Sequence, residues 1–455
     1  MNYRRKQLLA TSLALILVIA IAAAWRMRRT PQFTHLTLFV TGDSRGYMEP
    51  CGCRRDQAGG LSGRAAIIGS KPRADRLVVD VGNLTSGGRP YEILKLGYMM
   101  RGMAQIGYDA VNLGKTEAGL DREALNRMLA ANLPFVSANV LSTQDGKPLT
   151  KPYLVIKRSG FNIGVTGVAA VSERDAGPGI EVTPPVEALA GVVAELKPKC
   201  DYLIVLAFVD SDTLRKIADQ YPEVDCVLGG DVPQSSNSLV AVNRAVNFNV
   251  TDRGKVVGEI ELNLRGGTYH ADSARGVKVM GEKLKPDPGI QTLIASYKAE
   301  LRDKRYELAS AEGMERIQAQ ESTADEYVGA AACASCHADA HRTSLSTAHI
   351  HAFDTLVKKG SEYDPECLRC HTVGYGLYSG YVDAARTPHL ENVQCESCHG
   401  RGKVHIAIMR SLPPGSKPRI TGALRPVTPA SCVRCHDVEN SENFSYAKFW
   451  PKIKH

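Results

Sequence analysis

The last third of this 455-residue chain contains four Cys-x-x-Cys-His motifs, in which a histidine directly follows the second cysteine. This spacing is typical of c-type haem attachment, because two thiols can add to the vinyl groups of one haem and the adjacent imidazole then reaches its iron. Paired cysteines also build structural zinc sites, but zinc does not require a histidine after every second cysteine. Four covalent haem c groups, each with the motif histidine as proximal iron ligand, are therefore the favoured interpretation. The motifs are Cys333-Cys336-His337, Cys367-Cys370-His371, Cys395-Cys398-His399 and Cys432-Cys435-His436.

Charge and composition limit the classes of partner. The formal net charge is +8, with 44% hydrophobic and 23% charged residues, which is ordinary for a globular protein. Four haems would add about eight negative charges through their propionates, because carboxylates ionise well below pH 7. No basic patch with interleaved aromatic residues is present in the sequence, so nucleic acid is not an expected partner.

The N-terminus carries an apolar run of 18 residues, Leu8 to Trp25, with three basic residues close to each end. Such a run is either a membrane anchor or a cleavable signal segment. The three arginines that follow it favour an anchor. Haem attachment of this type takes place outside the cytoplasm, so we expect the body of the protein on the periplasmic side of the inner membrane. Export as a soluble protein after cleavage is the alternative.

Between Thr34 and Met280 short β-branched runs alternate with helical patterns, which predicts a layered α/β domain. Later strands, 238–242, 245–250 and 255–264, are expected to be antiparallel and to close it. Apolar residues from Ile290 to Leu308 then recur at helical spacing. The predicted organisation is an anchor or signal segment at 1–30, an α/β domain at 34–285, a helical linker at 286–326 and a mostly α-helical haem domain at 327–455.

The α/β region resembles the periplasmic 5'-nucleotidase branch of the metallophosphoesterases. The resemblance lies in five stretches, at 36–43, 77–83, 107–114, 135–139 and 224–230. It implies an α/β/β/α sandwich with a two-metal site, in which two ions clamp the attacking and leaving oxygens.

Most of the metal ligands implied by that resemblance are replaced in this chain. Asp43 remains, but Arg45 stands where the first histidine is expected and Asn83 replaces the bridging aspartate. Lys115 and Thr116 replace an asparagine and a histidine. Phe208, Asp231 and Pro233 stand near the remaining histidine positions. We therefore expect this domain to be catalytically inactive and to serve as a docking or anion-binding surface.

Four cysteines lie outside the haem motifs. Cys51 and Cys53 follow Asp43 closely and form either a structural disulfide or a redox or metal site. Cys200 and Cys226 lie by neighbouring predicted strands and are candidates for a disulfide with each other.

Residues from Tyr327 to about His436 resemble the cytochrome c-554 family. The resemblance is carried by Val328-Gly329, by the segment from Ser346 to His349, by the glycines and tyrosines after His371, and by 393–400. It implies closely stacked haems, most of them ligated by two histidines, with one five-coordinate iron at the second motif. His349 and His405 match the distal ligands of that family, while His351 and His389 are further candidates. The family chain supplies another histidine after the fourth motif, where this chain offers only His455.

We expect an electron carrier that exchanges electrons with redox protein partners and has no catalytic residues. The alternative is a reductase or oxidase of a small nitrogen or sulfur compound at an open iron on His371, with Tyr375 or Arg369 as hydrogen-bond donors. A surviving phosphoesterase activity is the least favoured function.

Overall fold

The computed structural model describes residues 34–50, 58–265, 268–280, 284–304, 325–413, 415, 424–437, 440–441 and 443–455. The predicted N-terminal anchor and the pair Cys51 and Cys53 lie outside these residues. Within the described part of the chain, no helix has both the length and the apolar character needed to cross a bilayer. The chain divides into two compact units, one of residues 34–44, 67–84 and 106–278, the other of 45–66, 85–105 and 279–455.

The first unit contains two six-stranded sheets and a small two-stranded one. The first sheet has the order β14-β13-β1-β2-β3-β4, formed by β1 (Thr34–Thr41), β2 (Arg76–Asp80), β3 (Ala110–Asn112), β4 (Phe135–Val136), β13 (Val256–Arg265) and β14 (Thr268–Lys278). The second has the order β11-β12-β10-β9-β7-β6, formed by β6 (Tyr153–Arg158), β7 (Phe161–Ala169), β9 (Tyr202–Phe208), β10 (Cys226–Gly229), β11 (Val240–Val242) and β12 (Ala245–Asn249). Strands β5 (Val140–Ser142) and β8 (Ile180–Val182) form the small sheet.

The core of this unit lies between the two large sheets. Leu38 and Val79 from the first sheet and Ile204 and Leu228 from the second belong to one cluster of fully buried apolar side chains. The central strands of each sheet are parallel and are buried on both faces, which explains their nearly continuous apolar runs. These sheets confirm the predicted α/β class.

Helices cover the outer face of the second sheet. The helices in the described part of this unit are α3 (Lys115–Ala118), α4 (Arg122–Leu129), α5 (Pro185–Leu196) and α6 (Ser211–Gln220). Most of α1 (Leu61–Ile68) and α2 (Pro90–Ile106) belongs to the second unit. Apolar residues of α5 and α6 form a second buried cluster with β7, β9 and β10. Helix α6 begins where the Asp210 carboxylate accepts the backbone N–H groups of Asp212 and Thr213.

The strands expected to close the domain are arranged differently from the prediction. Strand β12 pairs antiparallel with β11 but parallel with β10. Strand β13 crosses to the first sheet and pairs antiparallel with β1.

The second unit is mostly helical. Helix α7 (Pro288–Asp303) buries Ile290, Leu293, Ile294, Tyr297 and Leu301 along one face, as the apolar spacing predicts. The remaining helices among the described residues are α8 (Ala330–Ala334), α9 (Ala338–Leu345), α10 (Ala352–Lys359), α11 (Pro365–His371), α12 (Cys395–His399), α13 (Lys403–Ser411), α14 (Pro429–Val433) and α15 (Tyr446–Phe449). In the described part of the haem-motif region, a small apolar cluster lies around Phe353, Leu368 and Tyr381.

Candidate haem centres and a remodelled metal site

Each Cys-x-x-Cys-His motif lies on or beside a short helix of the second unit. Helices α8, α11, α12 and α14 contain at least the first cysteine of the four motifs in turn. A helical turn places residues three apart on the same face, so both thiols of a motif can reach one planar group. At the first and fourth motifs the N–H of the histidine donates to the carbonyl of the first cysteine, 2.9 Å away in both cases. The local fold therefore presents the two thiols and the imidazole together.

Three of the motif histidines stand opposite a second histidine ring. The ring centres are 6.2 Å apart for His337 and His405, 5.9 Å for His436 and His349, and 5.9 Å for His399 and His455. A metal–imidazole bond is about 2 Å long, and a ring nitrogen lies about 1 Å from the ring centre, so two imidazoles on opposite sides of one metal have centres about 6 Å apart. Each of the three spacings fits two histidines that bind one iron from opposite sides.

The surroundings of these rings favour the neutral form that binds metal. Burial lowers the pKa of five of the histidines: His349, His371, His399, His405 and His436. A neutral imidazole has a lone pair on one nitrogen, whereas the protonated ring has none to offer. These sites therefore meet a first requirement for axial ligation of haem iron.

Hydrogen bonds orient several of the rings through Nδ1. The Nδ1 of His371 is 2.6 Å from the Ala352 carbonyl oxygen, and that of His399 is 3.2 Å from the Arg425 carbonyl oxygen. Bonds of this kind fix the tautomer and leave Nε2 for the metal. His405 differs, because its buried Nδ1 has no hydrogen-bond partner among the described residues. A buried nitrogen without a partner costs free energy, which a bound group would relieve.

The four motifs contact one another in a definite order. Helices α8 and α12, which carry the first and third motifs, contact each other. The Cys370 thiol lies 4.0 Å from the Arg434 carbonyl oxygen, which makes the second and fourth motifs neighbours. The Arg434 guanidinium donates to the Ser397 carbonyl, 3.2 Å away, and so joins the fourth motif to the third. The order of neighbours is first, third, fourth and second.

Glu396, inside the third motif, also holds the segment that precedes the first. Its carboxylate accepts the N–H groups of Val328, Gly329 and Gly402 at 3.0, 2.8 and 2.8 Å. Burial raises its pKa despite these bonds. This carboxylate fixes the first and third motifs relative to each other.

The remaining predicted distal candidates lie elsewhere. His351 is exposed and its Nδ1 is 3.1 Å from the Asp354 carboxylate. His389 is also exposed, and its carbonyl accepts the side-chain amide of Gln394. His455, which the sequence offers only as the one histidine after the fourth motif, instead faces His399. The sequence signal for His455 was its position as the one histidine after the fourth motif.

In the first unit, the positions of the expected metal ligands form a hydrogen-bonded network. The Asn83 amide donates to one oxygen of the Asp43 carboxylate at 2.7 Å, and the Thr251 hydroxyl donates to the other at 2.9 Å. Asp43 and Asn83 have left-handed backbone conformations, with φ of 51° and 68°, which are uncommon outside functional turns and loops. Polar side chains thus satisfy the carboxylate that a metal ion would otherwise hold.

Glu117, next to Thr116 in the chain, has a structural environment. Its fully buried carboxylate accepts the N–H groups of Asn83, Leu84 and Gly114 at 2.8, 2.7 and 2.8 Å. The loops after β2 and β3 are therefore tied together by this one side chain. Among the described residues, no group of three histidine, cysteine, aspartate or glutamate side chains could hold a metal ion.

Two other positions at which the resemblance implies a metal ligand hold side chains with different contacts. Phe208 packs in the core between the sheets, and the Lys115 ammonium pairs with Asp175 at 3.2 Å near the surface. Cys200 and Cys226 are both free, so the disulfide considered for them is wrong. Cys226 is buried within β10, whereas Cys200 packs against Gly164.

Known proteins resemble the two regions separately. The family described as "Cytochrome c554 and c-prime" matches residues 332–400. Cytochrome c-554 of Nitrosomonas europaea is 33% identical over 92 residues, which cover 17% of this chain and 39% of that protein. A 5'-nucleotidase of Vibrio cholerae is 30% identical over 193 residues, which cover 39% of this chain and 33% of that protein. The chain thus spans only about a third of the length of each of these relatives.

Solved structures agree on the fold of the first region. The sulfate thiohydrolase SoxB of Thermus thermophilus superimposes with a TM-score of 0.52 at 17% identity, covering 60% of this chain and 62% of that one. A 5'-nucleotidase precursor from the same species also gives 0.52, at 22% identity and with 59% of each chain covered. Together with the haem motifs, these similarities show that the chain joins a 5'-nucleotidase-like α/β region to a haem-binding region of the cytochrome c-554 type.

Proposed function

We propose that this protein is a tetrahaem c-type cytochrome that carries electrons between redox proteins. The observation that carries the proposal is the set of three histidine ring pairs, each with a motif histidine and a spacing of 5.9 to 6.2 Å. Bound haem c supplies one-electron redox chemistry, tuned by its axial ligands and its surroundings. The fourfold repetition of the attachment motif sets the expected number of haems.

The ring pairs support a specific set of distal ligands. His405 would complete the first site, His455 the third and His349 the fourth, opposite His337, His399 and His436 respectively. His371 is the proximal ligand of the second site, oriented by the Ala352 carbonyl. Of the four distal candidates taken from the sequence, His349 and His405 belong to this set.

The order of the motifs supports a continuous electron carrier. The contacts between the motifs support the order first, third, fourth and second for the attachment sites. A chain that holds its attachment sites in contact needs no large motion between them. The role of the residues is then to hold, orient and shield the cofactors, which needs no acid, base or nucleophile.

The α/β region would act as an inactive partner-binding or orienting domain. The Asp43 carboxylate is already satisfied by Asn83 and Thr251, so a two-metal hydrolytic site lacks its ligands. The proposed location is the periplasmic side of the inner membrane, with anchoring through the N-terminal apolar run. Export as a soluble protein after signal cleavage remains the alternative for location.

The reactivity of the iron at the second motif distinguishes an electron carrier from an enzyme. The cytochrome c-554 resemblance implies an open coordination position at the second iron, and such a position would allow a small nitrogen or sulfur compound to bind. The carrier function predicts reversible reduction without turnover of such a compound. Binding followed by steady consumption of nitric oxide, nitrite or hydroxylamine would instead support the reductase or oxidase.

The test is a haem count on protein produced with the c-type maturation machinery. We expect four haems per chain from the pyridine haemochrome spectrum and a matching increase in denatured mass, together with full, reversible reduction by dithionite and reoxidation. A chain with Cys367 and Cys370 both replaced by Ala is the matched control, because it lacks the attachment thiols of the second motif and should carry three haems. Zinc in place of iron, or fewer than four haems in the mature wild-type protein, would contradict the proposal.

A further inference from the structure

One lysine of the second unit is buried beside the second haem motif. Lys95, on α2, is only 5% exposed, and its Nζ lies 2.7 Å from the Glu366 carboxylate and 3.4 Å from that of Asp364. Both carboxylates stand at the start of α11, the helix that contains Cys367, Cys370 and His371. Asp364 caps this helix by accepting the N–H of Glu366 at 2.9 Å. Lys95 therefore contacts the beginning of the motif-bearing helix.

A second side chain fixes the same carboxylate. The Ser86 hydroxyl donates to the other oxygen of Glu366 at 3.0 Å. Glu366 immediately precedes Cys367, so its position and that of the attachment thiol are coupled through the backbone. Ser86 and Lys95 both come from residues 85–105, which belong to the same compact unit as the four motifs.

The environment keeps the ammonium charged. Burial disfavours the charged form of Lys95, but the Asp364 and Glu366 carboxylates more than offset this and hold its pKa well above the usual value. A buried ion pair often adds little net stability, because both charges lose their hydration. Lys95, Asp364 and Glu366 therefore place three charged groups at the start of the helix that contains the second motif, where their field can act on a bound cofactor.

We propose that Lys95 is a positioning residue that sets the reduction potential of the haem attached to Cys367 and Cys370, by orienting Glu366 and by offsetting the negative field of Glu366 and Asp364. This inference rests on the proposed haem-binding function. Negative charge near a haem favours the more positive ferric state, and the effect is large where water is excluded. With Lys95 in place, two carboxylates are opposed by one ammonium. Without it, their field is uncompensated.

The test compares two variants whose charge changes have opposite signs. Lys95→Met should shift one of the four components of a potentiometric titration to more negative potential. Glu366→Gln, which keeps an acceptor for Ser86 and removes one negative charge, should shift the same component to more positive potential. The expected size is a roughly tenfold change in the reduced-to-oxidised ratio at fixed potential, about 59 mV for a one-electron couple. Lys95→Arg should restore most of the wild-type value.

Lys304→Met is the matched control. Lys304 is exposed and pairs with Glu300 in the same unit, and exposed charges are screened by water and salt. It should leave all four components in place. Shifts of the same sign in Lys95→Met and Glu366→Gln, or no shift in either, would overturn the inference. If Lys95→Met does not fold, the sign of the Glu366→Gln shift decides. A wild-type protein without four haems would reject the proposed function itself, whereas four haems with unmoved potentials would reject only the role of Lys95.

Discussion

Replacement of His455 by alanine should change the spin state of one haem iron in the protein. The ring centres of His455 and His399 are 5.9 Å apart, which matches two imidazoles on opposite sides of one metal, at about 2 Å from each nitrogen. Removal of one ring leaves an iron held by His399 alone, and a five-coordinate ferric haem with one histidine is high-spin. The expected magnitude is one iron of the four, a quarter of the haem iron, converted from low to high spin.

The assay is quantitative electron paramagnetic resonance of the ferric protein, with the high-spin signal integrated against the haem count. Added imidazole should reverse the change, because it can occupy the vacated position without a covalent link to the chain. His351→Ala is the control, since His351 is exposed and bonded to Asp354. An unchanged high-spin fraction in His455→Ala, or an equal change in the control, would refute the assignment of His455.

Three further predictions concern the α/β region. Glu117→Ala leaves three buried N–H groups without their acceptor, and each such group costs about 1–3 kcal/mol. We therefore expect denaturant unfolding to show a loss of at least about 3 kcal/mol in the free energy of unfolding, with a smaller loss for Glu117→Gln. Equal stability of Glu117→Ala and wild type would contradict the structural role. Asn83→Asp restores an acid at the bridging position but places it against the Asp43 carboxylate, where the Asn83 amide now makes a 2.7 Å contact. Repulsion between the two like charges should lower the midpoint of thermal unfolding, and calorimetry should detect no Mn²⁺ binding. Tight Mn²⁺ binding would show that the site is only one residue from function. Burial raises the pKa of Cys226 to about 12. Ellman's reagent at pH 8 should therefore label Cys200 first and Cys226 only after unfolding. A peptide map in which the two cysteines are linked would contradict the free thiols.

Local sequence patterns predicted the parts of this protein that depend on local geometry. The Cys-x-x-Cys-His motifs need only a helical turn to bring thiols and imidazole together, and the structure places each first cysteine on a short helix. The central strands are buried on both faces, and their apolar runs reveal them without knowledge of the sheet order. The apolar spacing from Ile290 to Leu301 likewise matches the buried face of α7.

Features that depend on long-range contacts could not be predicted in this way. His455 is 56 residues from His399 along the chain, and its isolated position after the fourth motif does not reveal which motif histidine it faces. The path of β13 into the first sheet depends on pairing with β1, the first strand. Cys200 and Cys226 lie by adjacent strands as expected, but Cys226 lies within β10 and Cys200 outside any strand, so adjacency did not imply a disulfide.

The role of residues 85–105 was also hidden from sequence patterns. Lys95 has the spacing of an ordinary helical residue, and its partners Asp364 and Glu366 lie about 270 residues away along the chain. Only the fold shows that this lysine is buried and that its charge faces the second motif. A replaced ligand such as Asn83 is different, because the loss of a metal-binding residue type is visible in the sequence itself.

The most direct test of the proposed function is the electron paramagnetic resonance spectrum of the purified ferric wild-type protein, combined with its haem count. We expect four haems per chain, with low-spin signals from at least three irons, those of His337, His399 and His436. A high-spin signal for the fourth that moves on addition of nitric oxide or nitrite would assign an open position to the second iron. Fewer than three low-spin irons in a protein with four haems would contradict the histidine pairs on which the proposed function rests.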